Sequence, residues 1–319
     1  MKYRCLNHTN LTVSNILLGT DGFGSAVEQE RAYALLNIYT EQGGNLLDTA
    51  ECYSQWLPGG THASENLLGR WMKEKKNRHK ILISTKGGFY TYGSAPRLSQ
   101  KEIFMDLEGS LRRLGTDYID IYWLHRDAPQ LPVAGIMDTL SLAVKQGKVR
   151  YIGVSNWTCE RLEEANCYAG AMGYPSLIAS QLQYSPARPN VEKNEPDLVL
   201  MNDSEYAYFT AHDLTVFAFA AQAKGFFSQY ATGGEQALSA KAYSRYFNPE
   251  TLQIYQRLNQ LRKDHDCSIG AMGIAALWNN YDFDTLPIVG CKTIAQLLDT
   301  LSGADIVLAK EEMDFIFKQ

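Results

Sequence analysis

The chain has 319 residues, 45% of them hydrophobic and 20% charged, with a net charge of −5. That composition is ordinary for a globular protein and supplies enough apolar residues for a large core. It carries no basic stripe for nucleic acid and no polybasic membrane patch, and no apolar run is long enough to span a bilayer.

The opening segment, Met1-Lys2-Tyr3-Arg4-Cys5-Leu6-Asn7, lacks a signal peptide's apolar stretch, so a cytoplasmic location is expected. The segment from Met1 to Val13 reads as a short hairpin that closes the lower end of whatever follows. The six cysteines are scattered, with no C-x-x-C pair and no histidine at zinc-site spacing. Reduced thiols are therefore expected. Cys52, beside Tyr53, is read either as a redox-sensitive thiol or as a small buried side chain, the latter being the commoner state.

Strand-like and helix-like segments then alternate. Ile16-Leu17-Leu18 leads to Gly19-Thr20 and a helix over 28–42. Strand Asn45 to Asp48 precedes an amphipathic stretch with Leu67, Leu68, Trp71 and Met72. Strand Ile81 to Thr85 ends at Lys86, and Ser99-Gln100-Lys101-Glu102 reads as a capping box opening a helix with Ile103, Leu107, Leu111 and Leu114 on one face. Strand Ile119 to Leu124 ends at His125. A helix opens near Pro132, where the missing N–H is tolerated.

A fifth strand is read over Lys148 to Val154, with a helix from Cys159 to Ala169, and a sixth over Leu177 to Gln181. The seventh runs from Thr215 to Phe219 and the eighth from Leu286 to Val289. Thr293 caps a helix carrying Ile294, Leu297, Leu298 and Leu301. The longest irregular stretches are expected at 54–63, 185–203 and 228–249. Tyr230, Tyr243 and Tyr246 in the last serve either as a lid or as loop packing.

Eight β–α units argue for an α/β fold, a (β/α)8 TIM barrel over 1–319 with no linker and no second domain. A doubly wound fold would want a G-x-G-x-x-G after the first strand. Gly22-Phe23-Gly24-Ser25-Ala26-Val27 lacks the third small position.

Asp48, Lys86 and His125 each end a short apolar run, and Tyr53 closely follows the first. Such residues at the carboxyl ends of parallel strands meet at one barrel mouth. There, a lysine ammonium is expected to ease ionisation of Tyr53, Asp48 to balance and orient the lysine, and His125 to hydrogen-bond a substrate oxygen or share the tyrosine's proton. The set describes a general acid poised over a carbonyl, with a hydride borrowed from a cofactor.

At this point the chain resembles the aldo-keto reductase superfamily over nearly its whole length. The matching pieces, in order, are Leu18-Gly19-Thr20, Asp48-Thr49-Ala50-Glu51-Cys52-Tyr53, Ser84-Thr85-Lys86, and Asp117 through His125. They continue with Gly153-Val154-Ser155-Asn156-Trp157, Gln181-Leu182-Gln183-Tyr184-Ser185 and Pro287-Ile288-Val289-Gly290. The resemblance implies nicotinamide-dependent carbonyl reduction, with a tetrad of Asp48, Tyr53, Lys86 and His125 and Tyr53 as proton donor.

It also implies that Gly19 and Thr20 lie at the cofactor, that Ser155, Asn156 and Gln181 hold its carboxamide, and that Phe219 stacks on its ring. The family's usual Ser-Pro-Leu is replaced by Ala220-Ala221-Gln222. Gly290 and Lys292 precede a helix N-terminus suited to phosphate, and Gln296 and Thr300 fall at adenine-edge positions, Thr300 replacing a frequent Asn. NADP(H) is the expected cofactor, with NAD(H) also open because a lysine discriminates less than a bidentate arginine.

Trp56 is read as lining the substrate mouth or as anchoring its loop. Polar neighbours suggest a small-molecule carbonyl such as a sugar derivative. The same site can run as an alcohol or sugar dehydrogenase, or serve a cofactor-sensing regulatory subunit. A monomer is expected, without nucleic acid or membrane partners.

Overall fold

The computed structural model describes residues 1–317. A hairpin of β1 (Tyr3–Cys5) and β2 (Thr12–Ser14) comes first, antiparallel, with Arg4 opposite Val13. Then follow β3 (Leu17–Gly19), α1 (Gln29–Glu41), β4 (Leu46–Asp48), α2 (Ala63–Lys75), β5 (Leu82–Gly87), α3 (Gln100–Leu114), β6 (Ile119–Leu124) and α4 (Val133–Lys145). The second half runs β7 (Val149–Ser155), α5 (Cys159–Met172), β8 (Ala179–Gln183), α6 (Asp203–Ala211), β9 (Thr215–Phe219), α7 (Phe226–Gly233) and α8 (Ala240–Tyr246). It ends with α9 (Pro249–Asp264), α10 (Ile269–Trp278), β10 (Thr285–Val289), α11 (Ile294–Ser302) and α12 (Lys310–Phe317).

The strands from β3 to β10 close into a barrel in chain order, every pair parallel, with β10 returning to β3. This is the (β/α)8 barrel that the alternating pattern predicts.

The hairpin is the barrel's floor. Leu6, Leu11 and Val13 are buried in one cluster with Leu17, Leu46, Trp123, Phe217 and Leu286. Within that core the Trp123 and Phe217 rings meet edge to face at 4.9 Å. Gly153 makes room for the indole, since a Cβ there would lie 2.4 Å from the Trp123 ring. A separate shell between strands and helices holds Leu35, Leu68, Trp71, Ile103, Leu107 and Leu140.

Local signals act where the sequence places them. Ser99 Oγ accepts from the Glu102 amide, and the Glu102 carboxylate accepts from the Ser99 amide, which completes the capping box of α3. Thr293 caps α11 through the Gln296 amide. Caps of this kind contribute about 1 kcal/mol each.

One stretch differs. Residues 228–249 are not irregular but carry the end of α7, a 3-10 turn over 234–237 and α8. Tyr246 is fully buried and Tyr230 lies parallel to Phe226 at 5.7 Å. These two tyrosines pack a second apolar cluster with Leu258, Met272 and Ile316 and form no lid. Tyr243, partly exposed, stacks on Phe247 at 4.8 Å. Among the described residues no helix is long and apolar enough to cross a membrane.

Candidate active site

Strand ends deliver the site. Gly19, Asp48, Ser155 and Phe219 are the last residues of β3, β4, β7 and β9. Lys86 lies near the end of β5 and Gln181 at the middle of the short β8, and His125 and Gly290 directly follow β6 and β10. All therefore face the C-terminal rim, where barrels of this kind build their active sites.

Lys86 is buried, and its ammonium spends all three donors on protein. Nζ lies 2.6 Å from Asp48 Oδ2, 2.8 Å from the Thr49 carbonyl and 2.8 Å from Tyr53 Oη. Asp48 is buried too. Its Oδ1 accepts from Ser84 Oγ at 2.8 Å and from Gln181 Nε2 at 3.1 Å. Trp123 Nε1 in turn donates to Ser84 Oγ at 2.6 Å. Each charge of the pair is thus compensated and hydrogen-bonded, the condition on which a buried ion pair persists.

Tyr53 differs from expectation. Burial raises its phenol well above the usual tyrosine range, and the Asp48 and Asp21 carboxylates push it further. The expected easing of ionisation by Lys86 is outweighed by burial and by these carboxylates. The resting side chain is a protonated phenol.

His125 is buried between two rings, with Tyr53 at 5.8 Å and Phe89 at 5.3 Å. Burial, then the positive charges of Lys86 and Arg126, hold its imidazole well below the usual histidine range, so it is neutral. Its Nδ1 lies 3.4 Å from Cys52 Sγ. The Cys52 thiol is pushed up to about 12, chiefly by burial and next by Glu51. Of the two readings of Cys52, burial prevails.

Asn156 sits in the left-handed region at φ 59, which asparagine tolerates better than most residues. Its Nδ2 donates to Ser155 Oγ at 3.1 Å and to the His125 carbonyl at 3.4 Å, and its Oδ1 accepts from the Val199 amide at 3.2 Å. Its own amide donates to the Gln181 carbonyl. Ser155, Asn156 and Gln181 are thereby brought together beside Asp48. Gly19 packs where a Cβ would meet Ile288 Cγ2 at 2.9 Å. Thr20 is fully buried and its Oγ1 is held by the Asp48 carbonyl at 2.9 Å and Ser64 Oγ at 2.7 Å. Its amide also donates to the Asp48 carbonyl, and its carbonyl accepts from Ser64 Oγ and the Phe23 amide, so Thr20 braces the turn after β3.

Across the barrel, the partly exposed Phe219 ring pairs with no other aromatic ring among the described residues. Gln222 ties the neighbouring loops together, accepting from the Gly290 amide at 3.1 Å and donating to Thr300 Oγ1 at 3.1 Å. Thr300, expected at an adenine-edge position, is buried and its hydroxyl donates to the Gln296 carbonyl. Gln296 and Lys292 are exposed, and Gln296 Oε1 accepts from the Lys292 amide at 2.9 Å.

Several rim residues carry no sequence signal. Lys224, at φ 57 after β9, makes no ion pair among the described residues. Partial burial lowers its basicity, and the nearby Arg245 and Lys241 lower it further. Arg245 reaches Glu195 only at 3.7 Å. This corner of the rim holds a surplus of positive charge. Arg126 stacks over Phe89 and pairs with Asp197 at 2.8 Å. Trp56 is 60% exposed and its indole N–H has no hydrogen-bond partner among the described residues.

The rim offers a phenol, a charge-balanced lysine and a neutral imidazole on one side, and an uncovered ring, amide groups and cationic loops on the other. That arrangement, on a closed parallel barrel, defines an oxidoreductase that binds a nucleotide cofactor. Comparison with known proteins agrees: the chain belongs to the aldo/keto reductase family, whose family model matches residues 15–318. It is similar to the uncharacterized oxidoreductase YrpG of Bacillus subtilis, at 30% identity covering 98% of this chain and 93% of that one. The aldo-keto reductase yakc [NADP(+)] of Schizosaccharomyces pombe is 27% identical, covering 88% and 80%. An aryl-alcohol dehydrogenase [NADP(+)] of Phanerodontia chrysosporium is 26% identical, covering 96% and 82%. The protein is an oxidoreductase that interconverts carbonyls and alcohols with a nicotinamide cofactor.

Proposed function

We propose that the protein reduces aromatic aldehydes or ketones to alcohols with NADPH, using Tyr53 as general acid. The observation that carries this reading is the Lys86 ammonium, within hydrogen-bond reach of both Asp48 and the Tyr53 hydroxyl. The rim residues fit a nicotinamide nucleotide. Phe219 offers a partly exposed ring, and Ser155, Asn156 and Gln181 offer amide and hydroxyl groups for a carboxamide. Lys224, Arg245 and the N-terminal turn of α11 supply positive charge for phosphates. Exposed Lys292 is the candidate partner for an additional ribose phosphate, and two relatives whose names include NADP(+) favour that cofactor.

When bound, the nicotinamide supplies the hydride that no side chain can. The protein's own groups handle the oxygen. His125 donates a hydrogen bond to the carbonyl oxygen. Tyr53 gives its proton to that oxygen as negative charge develops on it. Lys86 then stands 2.8 Å from the phenolate oxygen and stabilises it, which is the role its charge lacks in the resting state. Asp48 fixes Lys86 and spreads the charge through Ser84 and Gln181. Run backward, the same groups oxidise an alcohol.

Besides Tyr53, four aromatic side chains lie on the loops after β4 and β5: Trp56, Phe89, Tyr90 and Tyr92, with Trp56 and Tyr92 among the most exposed large side chains. Flat rings around a mouth suit a flat substrate, and the name of the fungal relative points the same way. A sugar-derived carbonyl also stacks on an indole and belongs in the same panel. The test is loss of NADPH absorbance by the purified protein across aromatic, aliphatic and sugar-derived aldehydes, compared with Tyr53→Phe. The reading expects turnover that falls at least about 100-fold in Tyr53→Phe while NADPH still binds. Turnover untouched by that change would overturn it, and tight NADPH binding without turnover would point to a sensing role.

A further inference from the structure

We infer that Cys52 is a positioning residue: its S–H donates to His125 Nδ1 and so fixes the imidazole in the tautomer that carries its proton on Nε2. The inference rests on the reductase reading only for its catalytic consequence. The tautomer itself is a property of the protein alone.

Geometry carries the argument. The turn holding Cys52 is tied to β5 by the Glu51 amide donating to the Lys86 carbonyl at 3.0 Å. His125 is tied to the same strand by its own amide donating to the Gly87 carbonyl at 2.9 Å. Two main-chain anchors on adjacent residues of one strand thus set the thiol against the ring. Cys52 Sγ lies 3.4 Å from Nδ1 and is the sole protein partner that the described residues give to either ring nitrogen. Tyr53 and Phe89 flank the ring and prevent it from turning away.

The direction of that bond follows from the chemistry of the two atoms. A neutral imidazole has one donor nitrogen and one acceptor nitrogen, and the bond at one nitrogen sets the state of the other. Thiol sulfur is a weak acceptor, whereas an imidazole lone pair is a good one, so S–H to Nδ1 is the stronger arrangement. Nε2 then carries the proton and can donate to a carbonyl oxygen. The reverse arrangement would set a bare Nε2 lone pair against the lone pairs of that oxygen. Burial supports the assignment, since it keeps the thiol protonated and the imidazole neutral at physiological pH.

The experiment is long-range 1H–15N correlation spectroscopy on protein labelled at its six histidines, with the His125 signals assigned through their loss in His125→Gln. Wild type is expected to show a protonated Nε2 and a bare Nδ1. Cys52→Val, which fills the space without a donor, is expected to shift toward mixed tautomers and to lose about tenfold in kcat with NADPH affinity unchanged. Cys52→Ser, which restores a donor, is expected to recover both. A protonated Nδ1 in wild type overturns the inference, as does a Cys52→Val protein with unaltered tautomer and kcat. If Cys52→Val fails to fold, the wild-type and Cys52→Ser spectra still decide. The correct tautomer in a protein that reduces no carbonyl would leave the Cys52 assignment standing and sink the reductase reading instead.

Discussion

The Lys86 ammonium and the Asp48 carboxylate meet at 2.6 Å with both side chains buried. Neither charge can leave without stranding the other in a low-dielectric interior. Removing one partner of such a pair is expected to destabilise the fold by about 3–5 kcal/mol. Asp48→Leu and Lys86→Met alone should therefore each unfold at markedly lower urea. Asp48→Leu combined with Lys86→Met should recover much of that loss, while catalysis stays absent in all of them. Urea titrations of the two single variants and the double give the coupling directly. Simple additivity would show that the pair is not acting as a unit.

The phenol of Tyr53 is held protonated by burial and by Asp48. Reduction uses the protonated form, so a raised pKa moves the alkaline limb of the rate profile upward. The kcat for aldehyde reduction at saturating NADPH should stay level from about pH 6 to 9, below the free phenol value of about 10. Alcohol oxidation needs the phenolate and should climb over the same range. A falling limb for reduction centred near neutrality would contradict this account.

Much of this site is legible in the sequence, because a residue that ends an apolar strand run has one place to go in a parallel barrel. Asp48, Lys86 and His125 are found that way, and the caps at Ser99 and Thr293 by their spacing. What escapes is what depends on neighbours distant in sequence. The easing of Tyr53 ionisation expected from Lys86 is outweighed by burial, which no local pattern shows, and by the Asp48 carboxylate. Thr20 and Thr300 look available in the sequence, yet Ser64, the Asp48 carbonyl and Gln222 take their hydroxyls. Lys224 and Arg245 have no motif, and the α7 and α8 turns around them are too short to show helical periodicity.

His125 is held neutral inside the protein and titrates at its ordinary value once unfolded. Its folded pKa is lowered, so its contribution is present above about pH 6.5 and is lost as pH falls toward the folded value. Wild type should lose up to about 1.4 kcal/mol per pH unit from this group below pH 6.5. His125→Gln should show a shallower acid-side decline. Urea midpoints at pH 7 and pH 5 for both proteins measure the difference. Parallel declines would show that the imidazole is not held neutral.

The cationic rim separates two kinds of phosphate contact. Lys292→Ala should weaken NADPH by about five- to tenfold and leave NADH nearly unchanged, because only the former carries the extra phosphate. Lys224→Ala should weaken both cofactors alike, since the linking phosphates are common to them. Fluorescence titration at low and high salt reads both effects, and the losses should shrink as salt rises. An equal loss for NADH in Lys292→Ala would remove that lysine from the choice of cofactor.

Trp56 has little packing to lose, being 60% exposed with no hydrogen-bond partner for its indole among the described residues. Trp56→Ala should leave the unfolding midpoint within about 0.5 kcal/mol of wild type, as surface changes generally do. Its effect should fall on substrate. A ring stacked on the indole gains about 0.5–1.5 kcal/mol, so kcat/KM for an aromatic aldehyde should drop by about two- to tenfold. A small aliphatic aldehyde, with no ring to stack on the indole, should be unaffected. Equal losses on both would place Trp56 in the scaffold of the loop and shift the search for specificity to Phe89, whose ring already touches His125.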